Sequence, residues 1–463
     1  MHGRAPVFLG NIFVKYYILF LLFLFLLSDC QNSVLSGIQD ETEGKIQSAF
    51  VSKLGPNSAS FVWKCSRSST GYLLGPSGII PSLKPSEIHF LEIQGLSPQT
   101  NYEAYATCGS PDPISGIPLR FRTWVSDTPE KTQGIWILGG IGSDQNPVAQ
   151  IDLFDASSGI WYPAITSVPT PRAFASILSH KQKIYVIGGL VKSGGSYAPS
   201  LKVEVYDPYS DVWTTKSDLP QTVQGAVAGS IGDEIYIVSG SGSVNISTSP
   251  LLNTVLKFYP DLGANGQWLS YSSNATIFPR ADMSGCAIDG VLFYSGGRLA
   301  SNGSVQSGTD GYIPGGNTTT GGTSEPSLNV QRSGAAGVCI NPEPKDLFPS
   351  DNQWFGVIGG SIATDTNQPI VSLTASNKTD FYQPGSVSFS AGPDLPQALY
   401  FPGAQVSYET RRIYVFGGAN SLNVPLDTVY SIDSANPASS SWATLSTNLP
   451  RARFGHQAIR IDR

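Results

Sequence analysis

Five arginines stand where they could act together: Arg172, Arg280, Arg332, Arg451 and Arg453. They lie at Pro171-Arg172, Pro279-Arg280, Gln331-Arg332 and Pro450-Arg451-Ala452-Arg453, each ahead of a run of small residues. A guanidinium presents a rigid fork of donors that matches a carboxylate bidentately. If these turns share one face, the arginines would line a mouth able to bind acidic ligands. Gln221 and Gln397 would fill the two remaining places. The same residues have a local alternative, in which each arginine forms a salt bridge with its own turn.

Other chemistry-bearing residues are sparse. The four histidines are His2, His89, His180 and His456. His180 falls in a tight turn, His456 falls inside a strand, and no pair has ligand spacing such as His-x-His. No metal site and no cofactor is expected. Cys286 and Cys339 lie on neighbouring small-residue strands, six and seven residues after their preceding arginines. That difference in parity predicts two separate buried thiols. No Cys–His arrangement for nucleophilic catalysis stands out. The net charge of −6 and the lack of a basic run exclude nucleic acid as an expected partner.

The elements that must position these residues repeat. A strand ending in a glycine pair recurs as IWILGG (135–140), IYVIGG (184–189), LFYSGG (292–297), WFGVIGG (354–360) and IYVFGG (413–418). IYIVSG (235–240) is a sixth copy, with Ser239 for the first glycine. The spacings are 49, 51, 57, 63 and 58 residues, and a regular period of this size signals a repeat architecture. A small-residue strand precedes each copy, as in PRAFASIL (171–178) and PRADMSGCAI (279–288). An aromatic and then a tryptophan follow, best seen in Phe154 with Trp161 and Tyr206 with Trp213, more loosely before Trp268 and Trp442. With 49 glycines, 33 prolines and only 13% charged residues, the composition suits a turn-rich all-β chain.

The GG strands with following Tyr and Trp resemble the kelch repeat over roughly residues 134–463. That resemblance implies four strands per blade and a six-bladed β-propeller. The first copy has no small-residue strand before it, while 454–461 supplies an unused one, so the C-terminal strand is expected to complete the first blade. A degenerate repeat hidden in the Gly/Ser/Thr-rich stretch 301–330 would make seven blades. Enzymes of this fold include copper oxidases that use two histidines, tyrosines and a Tyr–Cys crosslink, a set this chain does not offer. A sugar epimerase or mutarotase working in the propeller mouth is the enzymatic alternative, with only scattered candidates for its acid and base.

The N-terminal third reads differently. YYILFLLFLFLL (16–27) follows Arg4 and Lys15 and has the length of a signal-peptide core, too short for a bilayer span. Ending in LLSDC, it resembles a spirochaete-type bacterial lipoprotein signal, which implies lipidation at Cys30 and a membrane anchor. Asp29 departs from the small residue usual before that cysteine. Residues 31–44 form a tether. Residues 45–124 alternate as strands, with Trp63 and a turn GLSPQTNY (95–102), and resemble a fibronectin type III domain whose tyrosine corner is Tyr102. In that fold Cys65 and Cys108 face inward on opposed strands, which implies a disulfide. Residues 125–133 are a polar linker. Asn245, Asn274, Asn302, Asn317 and Asn377 begin Asn-x-Ser/Thr sequences, relevant only in a eukaryotic secretory route. The expected protein is exported, either a cell-envelope or outer-membrane surface lipoprotein or a secreted one. Its propeller is expected to bind an extracellular protein or glycan, the remaining alternative being a structural envelope protein.

Overall fold

The computed structural model describes residues 44–98, 100–123, 134–208, 211–247, 251–271, 277–320, 325–340, 353–364 and 372–461. Residues 1–43 and 124–133 lie outside them, so the expectations for the signal, Cys30, most of the tether and the linker fall on residues not described. Among the described residues there is no α-helix. The chain divides into two compact units, 1–126 and 127–463.

The first unit is a sandwich of two antiparallel sheets. One contains Ile46–Leu54, Ser58–Ser69 and Ser86–Gln94; the other contains Gly78–Pro81, Gly71–Gly75, Asn101–Cys108 and Ile117–Arg122. Alternation turns Phe61, Trp63, Ala104, Ala106 and Phe121 into the shared core. A disulfide joins Cys65 to Cys108 across the sheets, with 5.9 Å between Cα atoms. Ser97 N donates to the Tyr102 hydroxyl (2.9 Å), tying the turn at Pro98 to its strand.

The second unit contains six four-stranded antiparallel sheets among the described residues, an arrangement consistent with a kelch propeller. The first sheet runs Arg453–Ile459, Ile135–Gly142, Gln150–Asp155, Ile160–Ser167 from its innermost strand outward. The innermost strands of the second to sixth are Ser176–His180, Val227–Ile231, Ser284–Ile288, Ala336–Ile340 and Gly403–Ser407. The first sheet is thus built from both ends of the unit. Gln457 pairs with Leu138 and Ile459 with Trp136. Residues 301–330 supply the outer strands of the fourth sheet, Thr309–Ile313 and Thr318–Thr319.

Backbone hydrogen bonds link the innermost strands in a cycle. Phe174 N donates to Gly455 O, Gly225 N to Phe174 O, Asp282 N to Gly225 O, Gly334 N to Asp282 O, Phe401 N to Gly334 O and Gly455 N to Phe401 O, at 2.6–3.1 Å. All six residues have positive φ. The second glycine of each pair adds a second set of links. Gly140, Gly189, Gly240, Gly297, Gly360 and Gly418 donate to carbonyls of the following repeat, at Arg172, Val223, Arg280, Arg332, Leu399 and Arg453.

These links explain the glycine pair. At Gly188 (φ 62°) a Cβ would stand 2.5 Å from Val223 O, and at Gly417 (φ 56°) 2.6 Å from Arg453 O. Glycine, with no Cβ, meets both the conformation and the approach without strain. Ser239 (φ 58°) meets the same demand differently: its Oγ donates to Arg280 O (2.7 Å) and accepts from Arg280 N (2.8 Å). The tryptophans reach back to the preceding sheet. Trp213 Nε1 donates to Thr166 Oγ1, Trp268 Nε1 to Ser217 O and Trp442 Nε1 to Pro393 O.

The expectation of two separate thiols at Cys286 and Cys339 is overturned: a disulfide joins them, with 5.8 Å between Cα atoms. The parity argument fails because successive sheets pack front against back. Ala336, Val338 and Ile340 face the sixth sheet, whereas Ala335 and Cys339 face the fourth, alongside Cys286 and Ile288. Facing residues on equivalent strands of neighbouring sheets must therefore differ in parity, as these cysteines do.

Candidate functional site

The expected arginine mouth is corrected by burial and partners. Arg172, Arg280, Arg332 and Arg453 are all at most 1% exposed. Each guanidinium turns into its own sheet and meets a carboxylate on the third strand. Arg172 Nη2 donates to Glu204 Oε2 (2.6 Å), Arg280 Nη2 to Asp310 Oδ2 (2.8 Å), Arg332 Nη2 to Asp380 Oδ2 (2.6 Å) and Arg453 Nη2 to Asp152 Oδ2 (2.5 Å). Other Nη donors bond backbone carbonyls, as Arg280 Nη1 does to Gly296 O (2.7 Å) and Gly308 O (2.6 Å), while Nε of Arg172, Arg280 and Arg332 is buried without a partner. Arg451 is partly exposed, yet it too pairs with Asp152, on Oδ1. Burial lowers the pKa of all four buried guanidiniums, that of Arg453 to about 10, with the carboxylates opposing. Removing one partner of such a pair costs about 3–5 kcal/mol, because the other is left buried and uncompensated. These arginines hold the repeats together and do not face a ligand.

Gln221 and Gln397 do not occupy the two remaining places. The positive-φ residue lies two positions after each buried arginine, so Gly225 and Phe401 assign those places to Val223 and Leu399. Both are buried. The strand register then puts Leu256 and Tyr430 where the other sheets carry acids. Arginine occurs with a carboxylate, and an apolar residue with an apolar or aromatic one.

The axial positions alternate in size: Phe174, Gly225, Asp282, Gly334, Phe401, Gly455. A Cβ on Gly334 would stand 2.5 Å from the Phe401 ring, and one on Gly455 2.5 Å from the Phe174 ring. Phe174 and Phe401 are packed edge to face, 4.9 Å between centroids. With Ile141, Leu190, Tyr400 and Phe454 they form an apolar cluster at the mouth. Beneath it lies a cavity of about 100 Å³, lined by Phe174, Asp282, Met283, Phe401 and His456 with small residues of the innermost strands. Burial and nearby Arg453 hold His456 down to about pKa 3, so its ring is neutral. His180 Nδ1 lies 2.8 Å from Ser230 Oγ. Among the described residues no three His, Cys, Asp or Glu side chains group as metal ligands.

The loops after the glycine pairs form the variable end of the unit. The second sheet adds a hairpin there, Leu190–Ser193 with Ser196–Pro199. Loops of the fifth and sixth sheets touch, Ala375 N donating to Ser421 Oγ (3.0 Å). This end exposes apolar side chains: Phe278 where the chain enters the fourth sheet, Ile362 in the fifth loop, and Leu422 and Val424 in the sixth.

Known proteins match the repeat unit. The family model described as the Kelch motif matches residues 171–220, the span of the second sheet. Kelch-like protein 35 of Mus musculus is 29% identical over 133 residues, 28% of this chain and 20% of its own length. F-box/kelch-repeat protein SKIP30 of Arabidopsis thaliana is 27% identical over 191 residues, covering 38% and 53%. Kelch repeat and BTB domain-containing protein 8 of Xenopus tropicalis is 32% identical over 113 residues, covering 23% and 18%. The aligned part is thus about a fifth of the first and third relatives and about half of the second.

Proposed function

We propose that this kelch-repeat chain is a six-bladed propeller, closed by its own C-terminal strand, that binds a protein partner through the loops following the glycine pairs. The observation that carries the reading is the placement of Phe278, Ile362, Leu422 and Val424. They are exposed apolar residues on variable loops above a scaffold whose repeated arginine–carboxylate pairs are turned inward. Two of them, Leu422 and Val424, share one loop; contiguous exposed apolar surface marks interaction sites, and loops on a rigid frame carry binding residues. Kelch repeats are generally protein-interaction modules, which supports the assignment.

The first unit is read as a fibronectin type III-like spacer, on its seven strands in two sheets and its tyrosine corner. Export is supported by the two disulfides, since such bridges persist in oxidising compartments. They account for four of the five cysteines and leave Cys30 as the odd one, the residue proposed to carry a lipid anchor. The partner is then an extracellular protein, with a glycan as the alternative.

The test uses the full chain against panels of extracellular proteins and glycans, alongside an Ile362→Asp/Leu422→Asp variant. Binding that the variant loses, at unchanged melting temperature, is expected. A binder retained equally by the variant would overturn the loop-face assignment. Fatty-acid labelling of wild type but not Cys30→Ala tests the anchor independently.

A further inference from the structure

Asp282 is used only in part by the fold. It is 3% exposed, Arg298 pairs with its Oδ2, and its Oδ1 has no hydrogen-bond partner. A buried carboxylate oxygen without a partner is costly and calls for an occupant. Asp282 lines the axial cavity, which the phenyl rings of Phe174 and Phe401 also line, and no other acidic or basic side chain apart from the neutral His456 does so among the described residues.

The first sheet shows how such an oxygen is completed. There Asp152 accepts Arg453 on one oxygen and Arg451 on the other. One carboxylate of this unit thus holds two cations, and Asp282 holds one. Aromatic faces attract cations as well, most strongly where water is excluded. The cavity, at about 100 Å³, is smaller than the engineered one of about 150 Å³ that admits benzene.

We infer that the axial cavity is a binding site for one small organic cation, a primary ammonium or guanidinium group, held by Asp282 Oδ1 beside the phenyl rings of Phe174 and Phe401. The group is either a free amine or the tip of a lysine or arginine side chain. This site is separate from the loop surface proposed above and does not depend on it.

Calorimetric titration of the full chain with methylammonium chloride, and separately with N-acetyl-lysine amide, at ionic strength fixed with sodium chloride, tests it. Saturable binding of at least one is expected. Methylammonium alone identifies a free amine, and binding of both admits a side chain. Asp282→Asn should weaken binding about tenfold or more. Ala228→Leu enlarges a residue of the cavity wall other than the Asp282–Arg298 pair, and should do the same. No saturable binding to wild type, or equal binding by wild type and the correctly folded Ala228→Leu protein, would overturn the inference.

Discussion

Replacing Arg280 by leucine removes a guanidinium that bonds Asp310 Oδ2, Gly296 O and Gly308 O in the interior. The carboxylate of Asp310 is then buried without its counter-ion, so the expected loss is about 3–5 kcal/mol. Asp310→Leu should cost a similar amount, by stranding the guanidinium. The double change is different. The sixth sheet already uses Leu399 with Tyr430 in these two places, so Arg280→Leu with Asp310→Tyr installs a pairing that the same architecture accepts. What remains lost is the donor to the Gly296 and Gly308 carbonyls, about 1 kcal/mol each. The double variant should therefore be about 1–3 kcal/mol more stable than either single one. For a unit of this size that is about 1.5–4.5 °C in melting temperature. Scanning calorimetry of the full chain, reading the transition of the repeat unit, gives the comparison. Additive losses in the double variant would refute the claim that the pair acts as one exchangeable element.

Other consequences follow from particular residues. His456 is held neutral, with its pKa lowered from 6.5 to about 3 by burial. Between those values the unfolded chain binds the extra proton, so stability falls as pH drops below about 6.5, by about 1.4 kcal/mol per pH unit from this group. His456→Leu should lessen the slope of melting temperature against pH in that window, and an unchanged slope would contradict the assignment. Deleting residues 452–463 removes the innermost strand of the first sheet and with it Arg453, the buried one of the two arginines paired with Asp152. The calorimetric transition of the repeat unit should disappear, and a truncated chain that melts like the whole would sink the latch. The Cys286–Cys339 bridge closes 53 residues, so Cys286→Ala/Cys339→Ala should cost about 4 kcal/mol. Thiol titration of the unfolded, unreduced chain should find neither cysteine free, and two free thiols at these positions would contradict the bridge.

Much of the scaffold was legible because its demands are local. The glycine pairs stand where positive φ and a neighbouring carbonyl exclude a Cβ, and such a demand leaves a mark on residue type. The C-terminal strand could be assigned by counting strands against glycine pairs. The arginines were visible, but their direction was not. Glu204, Asp310, Asp380 and Asp152 lie 30 to 301 residues away along the chain, and only register shows that each meets its arginine. A signal was present: Val223 and Leu399 lack arginine in the two sheets where Leu256 and Tyr430 replace the acid. It was masked by two extra residues before each, which moved Gln221 and Gln397 into apparent alignment. The cysteine pair was misread because parity was compared as within one sheet, whereas sheets around an axis meet front to back. Asp282 could not be singled out at all, since its place among the six positive-φ residues emerges only with the axial hydrogen bonds.

Amide exchange at Phe174, Gly225, Asp282, Gly334, Phe401 and Gly455 tests the closed ring most directly. Their six amides form one cycle of bonds, Gly455 lying on the C-terminal strand. If the six sheets form a single closed ring, all six amides should exchange together, through the same global opening and with the same free energy. Exchange of Phe174 and Gly455 through a cheaper, separate opening would show that the ring is parted at the first sheet, and would contradict the account.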